Sequence, residues 1–161
     1  MAGATATSSK GAPRARKRAV RATFRSAEQL REVLDEVLRA VDADEKTGAL
    51  LRAADLRLRV ECTDLDLAVN VRASDDPRRH IEWSFSDRGQ PKPKLELKME
   101  SAVANRWLQG KESVPIAIAR GEIVCTGDAR CALLYLPAAK LFNGPYKRVL
   151  QERYPHLLDR S

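Results

Sequence analysis

Few side chains in this chain could act as metal ligands or catalytic groups, and their spacing does not group them. Neither of the two histidines, His80 and His156, belongs to an H-x-x-x-H or H-E-x-x-H pattern that would hold a metal. The three cysteines, Cys62, Cys125 and Cys131, lack C-x-x-C spacing, and no Ser or Cys occupies a nucleophile elbow. We therefore expect surface histidines, inert buried thiols, no metal, no cofactor and no enzymatic activity.

Two further patterns superficially resemble binding motifs. The sequence 110–112, Gly-Lys-Glu, lacks the earlier glycine that a phosphate-binding loop requires, separated by four residues from its Gly-Lys pair. The acid pairs Asp64 with Asp66 and Asp75 with Asp76 lie in or beside expected turns, where short carboxylates bond neighbouring N–H groups or face water. Neither pattern favours an enzyme over a binding module.

The net charge of +7 is concentrated at the amino terminus. Residues 1–25 carry seven bases and no acid, so the rest of the chain has as many acids as bases. Low apolar content predicts that residues 1–22 form a disordered basic tail. An anionic membrane surface is one partner for its bases, Lys10, Arg14, Arg16, Lys17, Arg18 and Arg21. Nucleic acid is disfavoured because no aromatic residue interleaves them, and a solubilising extension without a specific partner is the simplest interpretation.

The rest of the chain, residues 23–161, has the size of a single domain with a real core. A domain of this length buries roughly 68–70% of the surface of its unfolded chain, so it needs no disulfide or metal for stability. The odd cysteine count favours a reducing compartment, and no apolar run is long enough to span a bilayer. We expect a cytoplasmic protein.

The first elements are predicted to be helices. Ser26 followed by Gln29 is a capping box, and apolar residues then recur at helical spacing from Leu30 to Val41. Asp42 or Asp44 ends this helix and caps a short second one. Segments 56–62, 67–72, 81–86 and 94–100 then alternate apolar and polar residues, which predicts four strands in a meander.

The second half begins with two short helices. We expect Ser101 to cap the first, which ends at Gly110, and Ser113 to cap the second, with Pro115 in its first turn. A fifth strand around Ile123 and Cys125 precedes a long helical region that begins after Asp128. Pro137 and the sequence 143–145, Asn-Gly-Pro, must kink or break that region.

This order of elements resembles the sterol carrier, or non-specific lipid-transfer, family. The residues that carry the likeness run from 95 to 136, and it extends less distinctly back to about Phe24. In order, the motifs are the strand ending Lys98-Met99-Glu100, the helix with Trp107 and Gly110-Lys111, the Pro115 turn, and the glycine-bounded strand 121–128. Together their order and spacing are more specific than any one of them.

The resemblance implies an α+β fold, a five-stranded, mostly antiparallel sheet covered on one face by helices, with an internal apolar tunnel. Such domains bind and carry a lipid, namely a fatty acid, acyl-CoA, sterol or isoprenoid, and do not catalyse. The lipid-binding positions implied in this chain are Leu97, Met99, Trp107, Leu108, Ile116, Ile118, Ile123, Leu133, Leu134, Phe142 and Tyr146. Each can equally be an ordinary core residue, and the three aromatic ones form either a movable lid or a lock on the terminal helix.

Two departures from the family are visible. The last residues do not form the peroxisomal address of eukaryotic members, so we expect a bacterial cytoplasm. The break at 143–145 alters the outer wall of the tunnel and hence the ligand size. The alternative function is an accessory protein for an enzyme of lipid or quinone metabolism, or nucleic-acid contact through the tail. The sequence leaves the oligomeric state open.

Overall fold

A computed structural model describes residues 23–159, so the predicted basic tail at 1–22 lies outside the described residues. The element order agrees with the prediction from the sequence. The helices are α1 (Ala27–Ala43), α2 (Glu45–Ala53), α3 (Ser101–Leu108), α4 (Val114–Ala119), α5 (Ala129–Ala139) and α6 (Asn143–Arg153). The strands are β1 (Arg57–Cys62), β2 (Leu67–Ala73), β3 (Ile81–Ser84), β4 (Leu95–Met99) and β5 (Ile123–Gly127). Single 3-10 turns at Lys140–Phe142 and Pro155–Leu157 follow α5 and α6.

Side-chain caps set the starts of several helices. Ser26 accepts a hydrogen bond from the N–H of Gln29 at 3.1 Å, as the capping box predicts. Asp44 and Asp128 cap α2 and α5 in the same way. Ser101 differs from its expected role, because it is the first residue of α3 and makes no cap bond of its own.

The sheet order is β3-β2-β1-β4-β5, which corrects the predicted four-strand meander. Only β1, β2 and β3 follow one another as antiparallel neighbours; β4 crosses to the far side of β1 and runs parallel to it. The physical reason is the connection 85–94, which is too long for a tight hairpin and contains Pro91 and Pro93. Since β4 and β5 are antiparallel, three of the four pairings between the described strands are antiparallel.

The two faces of the sheet differ in chemistry. On one face Val60 of β1 lies opposite Val69 of β2 and Leu97 of β4, and this face packs against the helices in the hydrophobic core. On the other face Arg59 forms ion pairs with Glu61, Glu96 and Asp87. The helices therefore cover the apolar face, while the charged face binds the 85–94 connection through Asp87.

Candidate ligand-binding site

An apolar cavity of about 70 Å³ lies between the sheet and the helices. Its wall is almost entirely carbon, because all of its lining residues are apolar. The lining residues are Leu30, Leu34, Val37 and Leu38 of α1, Leu58, Val60 and Cys62 of β1, Leu67, Val69 and Val71 of β2, Ala104, Trp107 and Leu108 of α3, and Ala139 and Phe142. A site of this composition suits a hydrocarbon group and offers no partner to a polar one.

A second space, a surface cleft of about 660 Å³, opens between the α3–α4 connection and the carboxyl end of α5. Its wall mixes polar and apolar groups, including Glu112, Leu136 and Lys140. Gly110 forms part of its wall in a left-handed conformation (φ +76°), and a Cβ there would lie 3.0 Å from Nδ2 of Asn143. The glycine therefore permits the close approach of the end of α3 to the start of α6.

Trp107 is common to the two spaces, because it lines both the cavity and the cleft. Trp107 is half-buried on α3. Leu108, the next residue in the chain, lines the cavity but not the cleft. A molecule that entered the cavity from the cleft would pass the Trp107 ring, whose large apolar surface and single N–H suit a boundary between apolar and wet regions.

α5 forms a loosely held wall of this site. It buries only Tyr135 and Ala139, and the Tyr135 hydroxyl donates a hydrogen bond of 2.8 Å to the carbonyl of Asp55. Burial raises the pKa of Tyr135 from 10 to about 12, so the phenol remains a hydrogen-bond donor further into the alkaline range. Pro137 lies inside the helix and cannot donate to the carbonyl of Leu133, which removes one helical hydrogen bond.

Tyr146 holds the terminal helix on the core and does not form a movable lid over the site. It is fully buried, and its hydroxyl donates to Oδ1 of Asn105 at 2.6 Å. Nδ2 of Asn105 in turn donates to the carbonyl of Leu157 at 2.9 Å, and Nε2 of Gln109 donates to both Asn105 and Leu157. This buried network ties α3, α6 and the carboxyl-terminal turn together on the far side of the site.

The described residues offer few groups that could act as a nucleophile or as metal ligands. Burial raises the pKa of the Cys62 thiol to about 12, so this cavity-lining cysteine is protonated at neutral pH. No cluster of metal-ligating side chains occurs between residues 23 and 159. His156 is exposed as expected, but the expectation for His80 was wrong, because its ring packs over Gly48 of α2 and is largely buried.

The fold is similar to that of several solved structures. No family model and no curated protein matches the sequence. UbiJ-SCP2, a ubiquinone synthesis protein, shares 15% identity at a TM-score of 0.53, over 76% of this chain and 96% of that one. Sterol carrier protein 2 from Yarrowia lipolytica, in its apo form, shares 9% identity at a TM-score of 0.51, over 73% and 91%. This chain has the sterol carrier protein 2 fold.

Two more solved structures are similar to this chain. The sterol carrier protein domain 2 of Helicoverpa armigera shares 14% identity at a TM-score of 0.51, over 70% of this chain and 87% of that one. The sec-alkylsulfatase Pisa1 from Pseudomonas sp. matches at a TM-score of 0.48 and 17% identity, over 63% of this chain, which spans 15% of that enzyme's length. The matches to the sterol carrier structures with TM-scores above 0.5 confirm the predicted resemblance for the fold. Within residues 23–159, no helix is long and apolar enough to cross a membrane.

Within this sterol carrier fold, the eleven predicted lipid-binding residues fall into three groups. Trp107, Leu108 and Phe142 line the apolar cavity. Leu97, Met99, Ile123 and Tyr146 are buried in the core without lining it. Ile116, Ile118, Leu133 and Leu134 are exposed on α4 and α5. Contact of any of them with a lipid stays a prediction, as does the open tunnel.

Most of the cavity wall was not among the predicted residues. It comes from α1, β1 and β2, with Leu34, Val60 and Val69 as examples. The alternation of β1 and β2 and the apolar stripe of α1 were visible in the sequence, but they identify a core face and not a cavity. Only the sheet order, which places β1 and β2 beneath α1 and α3, shows that these residues surround a space.

Proposed function

We propose that this domain binds the apolar chain of a lipid, with the tail in the cavity and the polar head at the cleft, and carries it without changing it covalently. The observation that carries the proposal is Trp107, which lines both spaces. An amphiphilic molecule that passes this side chain meets a hydrocarbon wall on one side and a polar, solvent-open wall on the other. Each methylene transferred from water to such a wall contributes about 0.8 kcal/mol.

Binding a long chain requires the cavity to expand. A water-sized group needs about 10–15 Å³, so a cavity of about 70 Å³ holds only a short apolar segment. The wall element suited to such a movement is α5, which buries only two side chains and lacks one helical hydrogen bond at Pro137. Outward movement of α5 would also displace Ala139, which lines the cavity, and would lengthen the space toward the cleft.

The cleft supplies a basic group for the ligand head. Lys140 lies on the cleft wall, is exposed, and follows directly after α5. A fatty acid carboxylate or a phosphate at the cleft would gain a charge-assisted contact there. The chemistry of the head is therefore expected to be neutral or anionic, while the tail is selected only by its apolar volume.

Lipid extraction and a cavity-filling variant test the proposal. The protein is purified from cells and examined by native mass spectrometry, and any bound lipid is extracted and identified. Val60→Phe fills the cavity from the central strand and should weaken binding of a fluorescent fatty acid about tenfold or more. Val124→Phe makes the same exchange at an exposed strand position outside the cavity and serves as the control. A protein that carries no lipid and binds no probe, or a Val60→Phe protein that binds normally, contradicts the proposal.

The fold match to UbiJ-SCP2, a ubiquinone synthesis protein, favours a second candidate function. In this alternative the domain is an accessory protein of isoprenoid quinone synthesis, and the cavity holds a prenyl tail. The same extraction separates the two, because a prenylated quinone or precursor in place of an acyl lipid would support this alternative.

A further inference from the structure

α5 presents to solvent a stripe in which apolar side chains lie between two basic ones. The stripe consists of Arg130, Leu133, Leu134, Pro137 and Lys140, all exposed and spaced at i, i+3, i+4, i+7 and i+10 along α5 and its cap. Leu133 is 79% exposed and Leu134 is 52% exposed. Surface helices ordinarily turn leucines inward, so this α5 stripe is an apolar surface without a partner in the described chain.

The exposure of these leucines cannot be relieved by rotating the helix. The opposite side of α5 carries Tyr135 and Ala139, which are buried, and the Tyr135 hydroxyl is bonded to Asp55. A rotation that buried Leu133 would expose Tyr135 and break that bond. Both sides of α5 are apolar, and only one faces the core.

α4 adds exposed apolar groups on the other side of the cleft. Ile116 is 51% exposed and Ile118 is 39% exposed. Val114 and Pro115 of α4 face α5 across the cleft, which both helices line. The exposed apolar groups of α4 and α5 therefore flank the entrance to the candidate ligand site.

Basic residues outnumber acidic ones along α5 and the segment that follows it. Residues 129–150 contain four bases and no acid. The bases are Arg130, Lys140, Lys147 and Arg148, all exposed, and Arg130 lies 3.5 Å from Asp128 just before α5. Exposed leucines flanked by lysine and arginine are complementary to a bilayer surface, where anionic headgroups lie above an apolar acyl layer.

We propose that the α5 stripe docks on an anionic lipid bilayer, with Leu133 and Leu134 inserted below the headgroups and the bases at the phosphates. A second copy of this chain fits less well, because a two-fold contact through the stripe would place its bases near one another. The inference concerns a membrane partner and goes beyond the proposed function, so it is tested independently of ligand binding. Its consequence is that the cleft would face the membrane.

Vesicle binding by the full chain tests the docking surface. Partition onto phosphatidylcholine vesicles with and without phosphatidylglycerol is measured by co-sedimentation. The double variant Leu133→Ser, Leu134→Ser should lower the partition coefficient for anionic vesicles about tenfold or more. Leu50→Ser is the matched control, because Leu50 on α2 is 51% exposed and lies outside the stripe. Lys147→Gln with Arg148→Gln should weaken binding in low salt, whereas Lys46→Gln on α2 should not.

Three results would overturn the docking proposal. The double leucine variant could bind as well as the unaltered chain. Binding could instead disappear only when the bases of residues 1–22 are neutralised, which would assign the membrane contact to the tail. Light scattering could show that the unaltered chain is a dimer and the double variant a monomer, while neither binds vesicles. That result would assign the stripe to contact with a second copy. Fatty acid probe binding without vesicles, measured on the same variants, keeps these results distinct from failure of the proposed function.

Discussion

Asp64, in the turn between β1 and β2, accepts two hydrogen bonds from Ser101 at the start of α3. Its Oδ1 accepts from the backbone N–H at 2.7 Å, and its Oδ2 accepts from the hydroxyl at 2.6 Å. The helix that carries Trp107 is thus capped by a residue 37 positions earlier in the chain. This contact fixes the start of α3 on the sheet and hence the direction in which Trp107 points.

Replacing Asp64 by Ala should destabilise the domain by about 1–2 kcal/mol, because a helix N-terminus and a partly buried hydroxyl both lose their acceptor. Urea denaturation followed by circular dichroism measures the change. Asp75→Ala is the control, since its side chain is fully exposed and its ion pair with Arg72 is 3.5 Å long. Equal destabilisation by both variants would show that the Asp64 contact contributes nothing specific.

Tyr146→Phe should cost about 1–2 kcal/mol, because the variant keeps the ring but removes a buried donor to Asn105. The carboxyl-terminal turn should then exchange its amide hydrogens faster, since the network holding Leu157 is weakened. Tyr154→Phe is the comparison, because that hydroxyl makes a 3.3 Å contact with Glu32 at the surface. An unchanged exchange rate at the carboxyl end would contradict the assignment of Tyr146 as a lock.

Acid should loosen the connection that Arg59 binds on the charged face of the sheet. Hydrogen bonds from Arg59 and then Asn70 lower the pKa of Asp87 from 3.8 to about 2. The folded-state pKa is depressed, so this stabilisation is complete above about pH 4 and is lost as the pH falls toward 2. Asp87→Asn should therefore flatten the dependence of the urea midpoint on pH in that window, with Asp75→Asn as the exposed control. Identical pH profiles for the unaltered chain and Asp87→Asn would refute the effect.

Gly48→Ala should destabilise the domain by about 1–3 kcal/mol through overpacking. A Cβ at this position would lie 2.8 Å from Cβ of His80, a distance that forces the strand entrance away from α2. Gly144→Ala is the matched control, because a Cβ at Gly144 meets nothing within 4 Å. The thermal midpoints of the two variants give the comparison, and His80→Ala in the Gly48→Ala background should recover part of the loss. Equal midpoints would mean that His80 moves aside without cost.

Trp107→Ala should speed both entry and release of a fluorescent fatty acid if the ring separates the cleft from the cavity. Stopped-flow fluorescence measures the two rates, and Trp83→Ala is the control because Trp83 bonds Asp35 on α1, away from both spaces. Loss of affinity with unchanged rates of entry would assign Trp107 to the wall of the site and not to its entrance.

Local chemistry and periodicity were sufficient to predict the order of the elements. The capping box at Ser26, the alternation along β1 and the glycine-bounded β5 each depend on residues within a few positions of one another, so they could be recognised without the fold. The crossover of β4 could not be recognised from local residues, because it depends on which strands pair across distant parts of the chain. The roles of Asp64 and His80 were missed for the same reason, since their partners Ser101 and Gly48 are remote in sequence.

The elements, the apolar and charged faces of the strands, and a family resemblance that led to the correct fold could all be predicted from the order of the residues. Three features became visible only in the packed fold: the cavity wall comes mainly from α1, β1 and β2, Tyr146 holds α6 in place, and Leu133 and Leu134 face solvent. The physical reason is that periodicity shows which residues share a face of one element. Whether that face meets another element, encloses a space or remains exposed depends on how the elements pack.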